Sequence, residues 1–232
     1  LIVLKHLEGN DMVRMWTFLI FLTAAAAGSS RLFAADEPHF YQMESGIVEF
    51  TVTGAQTGKE TLYFDQWGLR QARHTRSETP TRGVSNIVTL TLRDWTYIID
   101  PEKNLGQKEQ DQVLKDLLEN DAGSDADLAV SWLMRKGWEK IEEGVILERP
   151  CTVWQLKDPG IKLWIWKGIP LRIQASSEGG DIVMTAVKIE ENVALPENIF
   201  IIPDTIRFIN ADINKILLSQ SRYSPHAITV PK

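Results

Sequence analysis

The residues of this 232-residue chain that could do covalent or metal chemistry are one thiol, four histidines and a scatter of carboxylates. Cys151 is the only cysteine, so an intramolecular disulfide and an all-cysteine zinc site are both excluded. A nucleophilic cysteine needs a neighbouring histidine to lower its pKa. His6 and His39 lie near the start and His226 near the end, which leaves His74 in the body of the chain. It sits among Arg70, Arg73 and Arg76, which together read as a solvated basic face. Cys151 therefore reads as a small buried hydrophobe rather than half of a Cys151–His74 dyad, although one thiol could also pair with another chain.

No His-x-x-His, His-Glu-x-x-His or calcium loop appears. The doublets Glu142-Glu143 and Glu190-Glu191 place neighbouring side chains on diverging paths. Gly179-Gly180 lacks the Lys-Ser/Thr of a phosphate loop, and there is no Gly-x-Ser-x-Gly elbow. These residues assign no catalytic group, no metal and no cofactor. A carboxylate pair for glycoside hydrolysis need not be close in sequence, so a hydrolase stands only as a third reading.

What remains is aromatic. Eight tryptophans are a heavy apolar load for an acidic chain, and Trp154, Trp164 and Trp166 fall close together. The turn Asp158-Pro159-Gly160 joins the strand bearing Trp154 to the strand bearing the other two. A three-residue loop sets Trp154 opposite Trp164, and a two-residue loop sets them diagonally. Leu163 and Ile165 point one way while Trp164 and Trp166 point the other, so this strand needs cover on both faces. The cluster reads as an aromatic core, as an apolar cavity for an acyl chain, or as a protein-docking patch. For the cavity, the lining residues are Trp154, Trp164, Trp166 and Trp132, with Leu117 and Leu133 from covering helices.

The elements that must position these residues are mostly strands. Val48, Phe50 and Val52 alternate with polar residues, as do Val88, Leu90 and Leu92, and Trp67-Gly68 and Asp100-Pro101 punctuate the pattern. Short strands on brief turns make an antiparallel meander. Residues 107–137 read as helical. Val113, Leu114, Leu117 and Leu118 form one stripe. A second helix begins with Ser124 as its cap on Asp127 and stops at Gly137. Strands resume at Cys151 and continue to Ile189. Leu195-Pro196, Phe200 and Pro203 close the sheet region. Residues 206–218 hold a possible short strand and then a helix, and the last dozen residues read as a loose tail.

Composition sets the class. The chain is 44% hydrophobic and 24% charged, with net charge −6. That is too apolar for disorder, and it lacks the basic excess of a nucleic-acid binder. The apolar run Trp16–Ala27 is too short to span a bilayer core of ~30 Å. With Arg14 before it and small residues up to Ala35, residues 12–35 read as a secretory signal peptide. Residues 1–11, ahead of Met12, read as an over-extended start. Cleavage near Ala34 or Ala35 would leave a soluble, exported chain without a transmembrane segment. It would comprise one domain over 36–210 and a C-terminal helix or tail over 211–232.

Three segments resemble the periplasmic lipoprotein carriers of the LolA/LolB type. Thr61-Leu62-Tyr63-Phe64-Asp65-Gln66-Trp67-Gly68-Leu69-Arg70 resembles their hairpin from an aromatic strand into an arginine-rich one. Leu163-Trp164-Ile165-Trp166-Lys167-Gly168-Ile169-Pro170-Leu171 is similar to a W-x-W-x-G-x-P strand pair of uncharacterised members. Leu195-Pro196-Glu197-Asn198-Ile199-Phe200-Ile201-Ile202-Pro203 resembles their closing L-P-x-x-x-F-x-x-P. The resemblance implies a half-open antiparallel β-barrel whose concave apolar face is lidded by helices. It further implies a non-catalytic periplasmic carrier that holds the acyl chain of a lipid or lipidated protein. The alternative is an envelope protein-interaction module with a filled core.

Overall fold

The computed structural model describes residues 39–80, 83–120, 127–157, 160–176 and 180–209. The expected signal peptide, residues 1–11, the Asp158-Pro159 turn and the tail over 211–232 lie outside or partly outside these ranges. Six strands come first: β1 (Gly46–Gly54), β2 (Thr57–Asp65), β3 (Arg70–Thr79), β4 (Gly83–Leu92), β5 (Trp95–Asp100) and β6 (Leu105–Gln110). Two helices follow, α1 (Gln112–Asn120) and α2 (Leu128–Arg135). Then come β7 (Glu139–Ile146), β8 (Arg149–Leu156), β9 (Ile161–Trp166), β10 (Ile169–Ala175), β11 (Ile182–Glu191) and the two-residue β12 (Arg207–Phe208).

All twelve strands form one sheet in the order β12-β6-β5-β4-β3-β2-β1-β11-β10-β9-β8-β7. Pairing is antiparallel throughout except for the short parallel contact of β12 with β6. Two meanders therefore run outward from a central seam, where Gly54 pairs Ile182 and Gly46 pairs Glu191. The sheet does not close on itself. It is the expected half-open barrel with the two helices across its concave face.

Period-two alternation builds that face. Val48, Phe50 and Val52 of β1 are buried with Leu62 and Phe64 of β2 and Ile182, Met184 and Ala186 of β11. Leu114, Leu117 and Leu118 of α1 and Ala129, Trp132 and Leu133 of α2 complete the core. Each large side chain buried this way contributes about 1.5–3 kcal/mol. Among the described residues, no helix is long and apolar enough to cross a membrane.

The opposite face of the first meander carries a second, smaller core. Ala72, Leu90 and Ile99 are covered there by Phe200 and Ile206, in the stretch that follows β11. Arg70 fastens this strap to β3. Its guanidinium meets both oxygens of Asp65 and of Glu197 and lies 4.4 Å over the Phe200 ring.

Several expectations need correction. Residues 107–110 are strand rather than helix, because Leu105–Gln110 ladders along β5 and the helix starts after Asp111. The cap of α2 is Asp127, whose side chain accepts from the Val130 amide; Ser124 lies outside the described residues. Strand β7 is an addition to the expected elements. It is an edge strand exposed along most of its length, so its sequence shows no apolar alternation. The basic strand is not wholly solvated, since Arg73 points into the core while His74 and Arg76 point out.

Candidate functional site

The helices do not seal the concave face completely. Between α2 and the β8–β9 hairpin lies a cleft of about 330 Å³. Its walls are Ala129, Val130 and Leu133 from α2, Thr152 and Trp154 from β8, and Ile165 from β9. Gln42, Asp127, Glu143 and Lys167 form a polar rim. An apolar recess with a few polar groups at its mouth is the usual make-up of a small-molecule site, and this volume lies at the lower end of their range.

Local chemistry holds each wall in place. Asp127 caps α2, which fixes Ala129 and Val130 in its first turn, and it also accepts from Gln42 at 3.5 Å. Lys167 and Gly168 both have positive φ and form the two-residue turn between β9 and β10. A Cβ on Gly168 would sit 2.4 Å from the Phe40 carbonyl oxygen. This close approach lets the segment before β1 run between two turns. Phe40 and Tyr41 donate to the Trp67 carbonyl, and Gln42 donates to that of Lys167.

Asp111 fixes the helices to the sheet. Its carboxylate accepts from the Leu114 amide at 3.1 Å and the Trp132 indole N–H at 3.0 Å, and pairs with Lys136 at 3.0 Å. One buried side chain thus caps α1 and ties down α2, while its own amide donates to Asp94 of the β4–β5 turn. A helix stripe starting at Val113, preceded by an aspartate, is the sequence signal of that cap. Starting the helix at residue 107 hides it.

The expected lining residues divide into three groups. Trp154 and Leu133 line the cleft. Trp132 and Leu117 are buried in the core behind it, the former committed to Asp111. Trp164 and Trp166 lie on the other side of the sheet, because Trp154 pairs with Leu163 and Trp164 pairs with Val153. Trp154 and Trp164 therefore do not meet in either of the ways expected. Cations cover the outer face: Arg172 lies over Trp164 at 5.0 Å, and Arg149 and Lys167 lie over Trp166 at 4.6 and 4.7 Å.

Cys151 is buried, and burial pushes its thiol above the usual range, which makes it a poor nucleophile. His74 lies on β3, six strand positions away from β8, so the pair forms no dyad. A second buried polar group has no counterpart in the sequence patterns. Arg73 pairs with Glu60 at 2.6 Å, and Thr75 donates to the other oxygen of Glu60. The Tyr41 hydroxyl lies in the same core, and burial raises its pKa to about 12. Among the described residues no cluster of three or more His, Cys, Asp or Glu side chains could hold a metal ion.

No protein-family model matches the chain, and no curated protein matches its sequence. Among solved structures it is similar to an uncharacterised conserved protein from Thermus thermophilus, at 12% identity and TM-score 0.43, over 71% of this chain and 90% of that one. It is similar to a chain of the Pseudomonas aeruginosa MucA/MucB complex at 16% identity and TM-score 0.36, spanning 71% of this chain but only 58% of that one. A putative outer membrane lipoprotein-sorting protein domain from Vibrio parahaemolyticus aligns at 9% identity and TM-score 0.32, over 68% and 89% of the two chains.

Proposed function

We propose that this chain is an exported periplasmic carrier that holds an acyl chain of a lipid or lipidated partner in the cleft between α2 and the β8–β9 hairpin, without catalysing a reaction. The observation that carries this reading is the cleft itself: a largely apolar recess on the lidded concave face, with its charged groups at the rim. Burial of methylenes is non-directional and is worth about 0.8 kcal/mol each, so about ten of them support affinities near the micromolar range at best. Asp127 and Glu143 at the mouth favour a ligand whose head group stays in water. Leu133 and Trp154 are the residues assigned to contact the chain.

The test is a titration of tryptophan emission with a long-chain fatty acid and with a phospholipid, alongside native mass spectrometry of gently extracted protein. Saturable emission change in the wild type and its loss in Ala129→Trp, which fills the recess, are expected. An unchanged emission with no co-purifying lipid removes the carrier reading. The packed positions of Trp132 and Leu117 favour one other reading, a module with a filled core that grips a partner protein's side chain in the same recess. Crosslinking to an envelope protein without any lipid response would select it.

A further inference from the structure

Trp164 belongs to a row of side chains that crosses the outer face of six strands. The register reads Trp164 (β9), Arg172 (β10), Thr185 (β11), Thr51 (β1), Lys59 (β2) and Arg76 (β3). At about 4.8 Å per strand the row is ~24 Å long. It contains three cations and no carboxylate. Among the described residues none of Arg172, Lys59 and Arg76 has a carboxylate partner; Arg76 reaches only the Asn86 side chain at 3.5 Å, and Arg172 lies over the Trp164 ring. Of the cations elsewhere on this face, Lys188 is matched by Glu49 and Glu190, and Arg149 and Lys167 by Glu191, while Lys108 lies over the Trp95 ring at 5.5 Å. A strip of unmatched positive charge stands out on a chain with net charge −6.

We infer that this row docks the outer face of the sheet on an anionic lipid bilayer surface. The charges are spread along the strip, with Thr185 and Thr51 between Arg172 and the adjacent pair Lys59 and Arg76, and they do not converge on a pocket. That arrangement complements a laterally extended field of phosphates better than one discrete anion. The half-buried indoles of Trp164 at the end of the row and of Trp166 beside it are side chains of the kind that favours the head-group level of a membrane. Lys and Arg stems can reach past them to the phosphates. The strip and the cleft are on opposite faces of the sheet, so this inference is independent of the carrier reading.

The test is co-sedimentation of the full chain with unilamellar vesicles of phosphatidylcholine alone, and of phosphatidylcholine with phosphatidylglycerol at three to one. Binding to the mixed vesicles only is expected, falling as salt is raised past about 0.1 M because the attraction is screened. Replacing the three cations together (Lys59→Gln, Arg76→Gln, Arg172→Gln) should weaken partitioning about a hundredfold. These side chains face outward, and an unchanged thermal transition together with an unchanged fatty-acid titration shows that fold and cleft are intact. Equal binding by the triple variant, or none by the wild type, overturns the inference. Retention on a soluble polyanion without vesicle binding, or a dimer that dissociates in the triple variant, overturns it in favour of those occupants.

Discussion

Asp111 does most for the site among single residues, because one carboxylate serves three donors on two helices. Replacing it with alanine removes the acceptor of the Trp132 indole N–H and the carboxylate paired with Lys136. Asp111→Ala is expected to cost about 3 kcal/mol in urea unfolding, and Asp111→Asn about half of that, since the amide oxygen still accepts. A loss below about 0.5 kcal/mol would show that the helices dock without it. At this scale the sequence is informative about type but not about direction. Leu133 and Trp154 do share one recess, whereas Trp164 and Trp166, close to Trp154 in the chain, face away from it. A hairpin's register decides which face a residue occupies, and a shift of one position reverses it. Arg73 is hidden for a related reason: its partner Glu60 lies on another strand, and single-strand patterns carry no trace of cross-strand charge matching.

Elements are legible wherever one face is buried and the other wet. The alternation of β1 and the leucine stripe of α1 follow that rule. Strand β7 does not, since an edge strand exposed along most of its length has no apolar face to announce it. It joins β8 through Leu147 and Glu148, at φ 50° and 60°, a two-residue turn in which neither residue is one that favours positive φ. Both are exposed, so the turn gains little from their side chains. The double change Leu147→Asn and Glu148→Gly is expected to raise stability by about 1–2 kcal/mol, read as a higher urea midpoint with an unchanged slope. A lower midpoint would mean that the β7–β8 pairing depends on one of those side chains.

For the molecule as a whole, the seam between β1 and β11 matters most. Everything to one side of it, from β1 to α1, is sequential, and so is everything from α2 to β11. The strap crosses this division, with Phe200 and Ile206 on the outer face of β3–β5. A chain severed between α1 and α2 should therefore stay assembled. The two fragments are expected to co-elute on size exclusion, to separate in urea and to recombine on dilution; separate elution without denaturant would refute the seam as the main joint. The sequence resemblance anticipates the half-barrel but not where its halves meet, because the pairing of Gly46 with Glu191 joins strands far apart along the chain. That pairing has a consequence during biogenesis. The edge of β1, with Val48, Phe50 and Val52 alternating along it, is synthesised well over a hundred residues before β11, and until β11 arrives it is open to pairing with any other nascent chain. Newly made protein thus passes through an interval of aggregation risk that ends only when its last long strand is delivered.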